Sequence, residues 1–181
     1  MEKIRAEDVV IERISAKHIV ISNFQSYEQE LVDFLKEDAL DNQFKKISVT
    51  YLVFLTSGEL AGYITLLNDR INLESDLKEI FRNKGILYKA LPALKIGRLC
   101  VDDRFLRKGL GTIMLAFAVK LADHIFERYC GCRFIVLDAK RNRENDVIHF
   151  YKKVGFKILK EREKGSTPMY LDLVNDSKLS F

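Results

Sequence analysis

The stretch from Lys95 to Leu115 reads KIGRLCVDDRFLRKGLGTIML. It starts as an apolar strand and ends as an apolar helix, and at the join it sets Arg104, Arg107 and Lys108 beside Gly109 and Gly111. Glycines where a strand end meets a helix start let backbone amides converge on an anion with no Cβ in the way, and the helix dipole adds to that attraction. Three cations alongside make the join suitable for a pyrophosphate. A tight strand-to-helix turn beside a solvated charge cluster is the plainer reading, and a lone GxG pair does not decide between the two. Two familiar phosphate loops are excluded. GLGTIM lacks the third glycine of the dinucleotide fingerprint, and no GxxxxGK[ST] occurs.

Other chemistries find less support. His18, His124 and His149 have no ligand spacing, and there is no HxxxH, no Ser-His-Asp order and no GxSxG, so neither a metal site nor hydrolase chemistry is expected. Cys100, Cys130 and Cys132 are too few for a disulfide scaffold and lack CxxC spacing; reduced, structural thiols in a reducing compartment are expected.

The elements that must position the join are legible in the hydrophobic pattern. A chain of 181 residues, 48% hydrophobic with twelve Phe, is enough for one domain, 1–181, with a buried core. His18 to Phe24 reads as a strand, and Ser26-Tyr27-Glu28-Gln29 as a capping box opening a helix to about Ala39, with a second helical segment to about Lys46. Ser48 to Leu55 and Glu59 to Leu67, separated by Thr56-Ser57-Gly58, predict an antiparallel hairpin. Leu73, Leu77, Ile80 and Phe81 predict a short amphipathic helix, laid over the core or over a substrate.

After Pro92 come a strand, Ala93 to Val101, the glycine turn, and a helix with Leu110, Ile113, Met114, Phe117, Leu121 and Ile125 on one face. Arg133 to Ala139 reads as a strand, and Asn145 to Val154 as a helix that stops at Gly155. Phe156 to Glu161 and Pro168 to Val174 close the chain as strands around the turn KGST. This order predicts an α/β fold with a mixed central sheet of six to seven strands and helices on both faces, antiparallel at first and parallel where helices intervene.

The strand LKIGRLCVD, the turn LRKGLGT and the later HFYKKVGF, taken together over about Ser48 to Val174, resemble the GNAT superfamily of acyl-CoA-dependent N-acyltransferases. The resemblance implies acetyl-CoA as cofactor, with coenzyme A as product, its pyrophosphate on the turn residues Leu106, Arg107, Lys108, Gly109, Leu110, Gly111 and Thr112. The family's leading Gln or Arg of the turn is Leu106 here, so Arg104 or Arg107 is expected to substitute for its phosphate contact. The resemblance further implies that backbone groups of Leu99, Cys100 and Val101 bind the pantetheine arm, that Asn145 and Phe150 add cofactor contacts, and that Tyr151 is the general acid. The plainer reading of Tyr151 is one more aromatic on a core stripe with Phe150.

Many members carry a Glu on the strand before the turn as base. Arg98 stands in that stretch, leaving Asp138, Asp69, Glu74 or direct proton loss to water. IGRLCVDDRF also looks like the GNAT toxins of toxin–antitoxin modules, which acetylate aminoacyl-tRNA. The acceptor is therefore a small-molecule or macromolecular primary amine, with tRNA among the candidates, and a non-catalytic acyl-CoA-binding module is the alternative. A net charge of +4 favours an anionic ligand weakly, and Arg98, Arg70 and Lys164 are the expected cations on the acceptor side. MEKIRAEDVVIER has no h-region, and the apolar run Ile113 to Val119 is too short to span a bilayer, so a cytoplasmic protein with no membrane partner is expected. Asn175-Asp176-Ser177 is a chance sequon without a secretion signal. A homodimer stays open.

Overall fold

A computed structural model of the chain describes residues 3–140, 147–162 and 164–174. Seven strands, β1 Val9–Arg13, β2 Val49–Leu55, β3 Leu60–Asn72, β4 Ala90–Val101, β5 Phe134–Ala139, β6 Lys157–Ile158 and β7 Thr167–Asp172, form one sheet in the order β1-β2-β3-β4-β5-β7-β6. Helices α1 Gln29–Asp33 and α2 Ala39–Phe44 are joined by a π-helical turn, Phe34–Asp38; α3 Ser75–Asn83, α4 Leu110–Arg128 and α5 Val147–Lys153 follow. The class is the mixed α/β sheet that the element order predicts. The chain divides into two compact units, residues 3–67 with 96–118, and residues 68–95 with 119–174.

In the first unit the β2–β3 hairpin forms as expected. Gly58 takes φ +87°, and Leu55 and Glu59 close the turn through an amide–carbonyl bond of 2.9 Å. The edge position beside β2 is taken by β1, whose Val9 to Arg13 pair antiparallel with Leu55 to Tyr51. His18 to Phe24 is therefore not a strand: Ile19–Asn23 form a 3-10 turn. Strand propensity is realised only where a partner edge is free. Local bonds also turn the chain here, with the Ser15 amide donating to His18 Nδ1 at 3.0 Å and the His18 amide to the Ser15 carbonyl at 3.2 Å.

The capping box at Ser26 does not form either. Ser26 Oγ accepts from the Glu28 amide two residues on, and the Gln29 side chain bonds Asp33 instead of reaching back. Both are the local side-chain bonds that Ser and Gln make when the helix start lies later than the box requires. The core of this unit gathers Val32, Phe34, Leu35 and Ala39 from the helical run, and Phe24 from the segment before it, against Leu52, Leu60, Tyr63 and Cys100 from the strands. Tyr63, wholly buried, donates its hydroxyl to the Leu31 carbonyl at 2.7 Å, beside the π turn.

In the second unit α3 covers a core of Ile71, Leu73, Phe81, Ala93, Phe134 and Val136, with the Phe81 and Phe134 rings edge-on at 5.6 Å. The helix α5 ends as the pattern predicts. Gly155 takes φ +100°, and the amides of Gly155 and Phe156 return to the carbonyls of Lys152 and Tyr151. The closing strand β6 is two residues long, because the charged run after Leu159 offers no alternating apolar face. Along α4, Leu110, Met114, Ala118 and Ala122 are buried at four-residue spacing, while Ile113, Phe117, Leu121 and Ile125 lie half-buried beside them. Among the described residues no helix is long and apolar enough to cross a membrane. All three cysteines are free; Cys100 is buried and Cys130 is exposed. The sequon at Asn175 lies outside the described residues.

Candidate active site

The site is built from the end of β4. Val101 finishes the strand, and the Asp102 amide still bonds the Ala61 carbonyl of β3 at 2.9 Å. A 3-10 turn, Asp103–Phe105, buries the Phe105 ring, over which Arg104 and Lys108 lie at 5.2 and 5.4 Å. The chain then enters the left-handed region twice, at Arg107 (φ +60°) and at Gly109 (φ +95°), before α4 begins at Leu110. Left-handed residues alternating with ordinary ones make the concave backbone "nest" that collects amides around an anion. A non-glycine residue held there costs about 1–3 kcal/mol and marks a constrained functional turn.

Thr112 and Ile113 direct their amides to the Gly109 carbonyl, which leaves those of Leu110 and Gly111 without a backbone acceptor among the described residues. The Arg107 side chain is exposed and has no partner among the described residues. Gly109 and Gly111, Arg107 and Lys108 are thus gathered in one turn, as their spacing predicts. A Cβ on Gly109 would meet the Ile4 carbonyl at an ordinary 3.6 Å, and the φ of +95° is a conformation that favours glycine.

Arg104 is paired with a neighbouring carboxylate. Its Nε and Nη2 hold both oxygens of Asp102 at 2.8 and 3.0 Å. Asp102, which the sequence reading did not single out, is fully buried and also accepts from the amides of Arg104 and Gln25, each at 3.0 Å. The Asp103 amide returns to the Gln25 carbonyl at 3.1 Å. Burial pushes the Asp102 carboxyl up, but the bonds from Arg104 and the two amides outweigh it and leave the group below the usual carboxylate range. Asp102 is a clip that ties the turn to the segment leading into α1. Only the adjacency of Asp and Arg at two-residue spacing hinted at it.

On β4 itself, Leu99, Cys100 and Val101 lie within the same unit as the turn. Gly62 of β3 backs them closely: a Cβ there would come within 2.8 Å of the Cys100 carbonyl. Burial pushes the Cys100 thiol up to about 11, so it is neutral and unreactive at physiological pH. Arg98 stacks over the Phe34 ring at 4.9 Å and donates to the Gly97 carbonyl at 2.9 Å. Arg98 is thus folded onto the helical run that carries the π turn, while Arg70 and Lys164 are exposed.

The second unit holds the remaining candidates. Tyr151 is buried between the Phe150 and Phe156 rings, at 5.1 and 5.5 Å, and burial alone pushes its hydroxyl up to about 12. It therefore keeps its proton at any physiological pH, as a general acid must. Asp138 and Asp69 both pair with Lys95, at 2.8 and 3.7 Å. Glu74 stands at the start of α3. His149 is exposed. Asn145 lies outside the described residues. Among the described residues no His, Cys, Asp and Glu group could hold a metal.

Comparison with known proteins completes the picture. Among solved structures the chain is similar to AtaT complexed with acetyl-methionyl-tRNAfMet, at 22% identity over 96% of this chain and 100% of that chain, with a TM-score of 0.77. It is similar to a tyrosine-to-phenylalanine mutant of KacT, at 23% identity over 95% and 99% with a TM-score of 0.78. A corresponding mutant of the AtaT toxin bound to the C-terminus of the antitoxin AtaR and acetyl-CoA matches at 20% identity over 96% and 98%, with a TM-score of 0.72. At these identities the likeness is one of fold. The family pattern of the acetyltransferase (GNAT) family, however, matches residues 16–156 directly, and it runs through the glycine turn and Tyr151 alike. The chain belongs to the acetyltransferase (GNAT) family.

Proposed function

We propose that the chain, acting as one N-acetyltransferase domain over 1–181, moves an acetyl group from acetyl-CoA to the α-amino group of an aminoacyl-tRNA. The observation that carries the reading is the turn Leu106–Thr112, with two left-handed residues, helix-start amides without a backbone acceptor among the described residues and the exposed cation Arg107 in one place. Those groups match a pyrophosphate, and the backbone of Leu99, Cys100 and Val101 is assigned the pantetheine arm, with Phe150 and Asn145 as further cofactor contacts. Acetyl-CoA supplies the activated acyl group, and the new C–N bond forms as the C–S bond breaks.

Tyr151 is assigned the proton for the departing thiolate, since its buried phenol retains that proton. Cys100 is assigned no covalent role, because a neutral buried thiol makes a poor acyl acceptor, so the amine attacks the thioester directly. With Asp138 and Asp69 committed to Lys95, the amine proton is assigned to water. The tRNA acceptor is supported by the fold shared with AtaT, whose solved complex holds acetyl-methionyl-tRNAfMet, and by the +4 charge. A cytoplasmic location accompanies that acceptor, and the AtaT–AtaR complexes suggest an antitoxin as a protein partner.

The test is to incubate the protein with labelled acetyl-CoA and separate pools of polyamines, free amino acids, peptides and charged tRNA. Label should enter charged tRNA, with an acceptor KM that rises steeply with salt. Labelling confined to polyamines, or a flat salt response, contradicts the acceptor assigned here.

A further inference from the structure

The segment ahead of β1 reaches the turn through one backbone bond. The Ile4 amide donates to the Lys108 carbonyl at 2.9 Å. In a trans peptide the C=O and the following N–H point in opposite directions. With the Lys108 carbonyl held by Ile4, the N–H of Gly109 must therefore face away from the Ile4 segment, and the side on which a Gly109 Cβ would lie is the side of the Ile4 carbonyl.

This orientation is not guaranteed by the turn itself. The 108–109 peptide lies between Lys108 and Gly109, and of these Gly109 is in the left-handed region. Rotating one central peptide is the difference between common turn types, at small cost when glycine follows. The rotated peptide would present a carbonyl oxygen where a phosphate needs a donor. The Ile4 segment is itself anchored at its other end. The Asp8 carbonyl accepts from Thr56 at the β2–β3 turn at 3.0 Å, the Asp8 amide donates to the Arg5 carbonyl at 3.1 Å, and the Arg5 amide donates to Asp8 Oδ2 at 3.0 Å. The hairpin turn thus sets the place of Ile4, and Ile4 sets the Lys108–Gly109 peptide.

We propose that Ile4 is a positioning residue for the cofactor: its amide holds the Lys108–Gly109 peptide with the Gly109 N–H turned to the pyrophosphate. The inference rests on the turn being the pyrophosphate site. Ile4→Pro deletes the N–H and retains an apolar side chain, while Ile4→Val keeps the N–H. Each variant is assayed with acetyl-CoA and with S-acetylpantetheine, which lacks the pyrophosphate.

Ile4→Pro should raise the KM for acetyl-CoA about tenfold, the loss of one donor to a charged group, with kcat and the KM for S-acetylpantetheine unchanged; Ile4→Val should match the wild type. If Ile4→Pro does not fold, a chain starting with methionine in place of Arg5 removes the same donor and is read by the same two KM values. An unchanged acetyl-CoA KM, or equal losses with both donors, overturns the role of Ile4. A wild-type protein that uses the two donors equally well overturns the pyrophosphate reading first, and this inference with it.

Discussion

Replacing Asp102 by Ala tests the clip between the turn and the approach to α1. The carboxylate is wholly buried and holds four donors, and they differ in what replaces the acceptor when it is gone. The Arg104 side chain is 44% exposed, so water takes over its bonds and the pair itself contributes no more than ~1 kcal/mol. The amides of Gln25 and Arg104 are part-buried and have Asp102 as their acceptor; a bond to a charged group contributes about 1.5–3 kcal/mol each. Relief of the buried charge trims the total, giving an expected loss of about 3–5 kcal/mol.

Urea unfolding measures this loss, and Arg104→Ala, which leaves the carboxylate its two amide donors, should lose less than Asp102→Ala. The pH dependence has a definite sign. Because the folded carboxyl sits below its unfolded value, its contribution is complete above about pH 4 and is lost as pH falls further through the folded value. Asp102→Ala should lack that component. A loss below ~1 kcal/mol for Asp102→Ala, or an equal loss for Arg104→Ala, refutes the clip.

Tyr151→Phe retains the ring packing with Phe150 and Phe156 and should reduce turnover roughly 10²-fold at unchanged acetyl-CoA KM; full activity at saturating acceptor would make Tyr151 a core residue only. Arg107→Gly should have opposite effects on two measurements. It relieves a left-handed residue and raises stability by ~1 kcal/mol, while calorimetric affinity for coenzyme A falls with the lost cation. Cys100→Ala should keep substantial turnover, and mass spectrometry of the quenched wild type should find no acetylated Cys100; an acetyl group on that thiol would contradict direct transfer.

The parts that were legible in the sequence are those governed by local rules. The Thr56-Ser57-Gly58 turn and the stop at Gly155 each follow from glycine conformation and stand where the pattern puts them, whereas on α4 the buried stripe runs through Leu110, Met114, Ala118 and Ala122 and leaves the expected Ile113, Phe117, Leu121 and Ile125 half-buried. The gathering of Gly109, Arg107 and Lys108 also stands where the pattern puts it. What was not legible depends on residues far apart. β1 was missed because an edge strand with Glu12 and Arg13 exposed carries little apolar alternation, and His18 to Phe24 was misread because β1 already occupies the edge of β2. Arg104 was offered, as an alternative to Arg107, for a phosphate contact because its charge is visible in the sequence, whereas the Gln25 amide that bonds Asp102 lies 77 residues away. The bond from Ile4 to Lys108 involves backbone atoms alone and leaves no trace in residue type.

The central claim, that the turn after β4 holds the pyrophosphate of acetyl-CoA, is tested most directly by isothermal titration of the wild-type protein with coenzyme A and with pantetheine. On the reading proposed above, the turn amides and Arg107 act on the pyrophosphate and have nothing to bind in pantetheine. The account predicts that coenzyme A binds at least ~100-fold more tightly, the equivalent of one to two charge-assisted hydrogen bonds, and that the difference shrinks with salt. Equal affinities for the two ligands would contradict it.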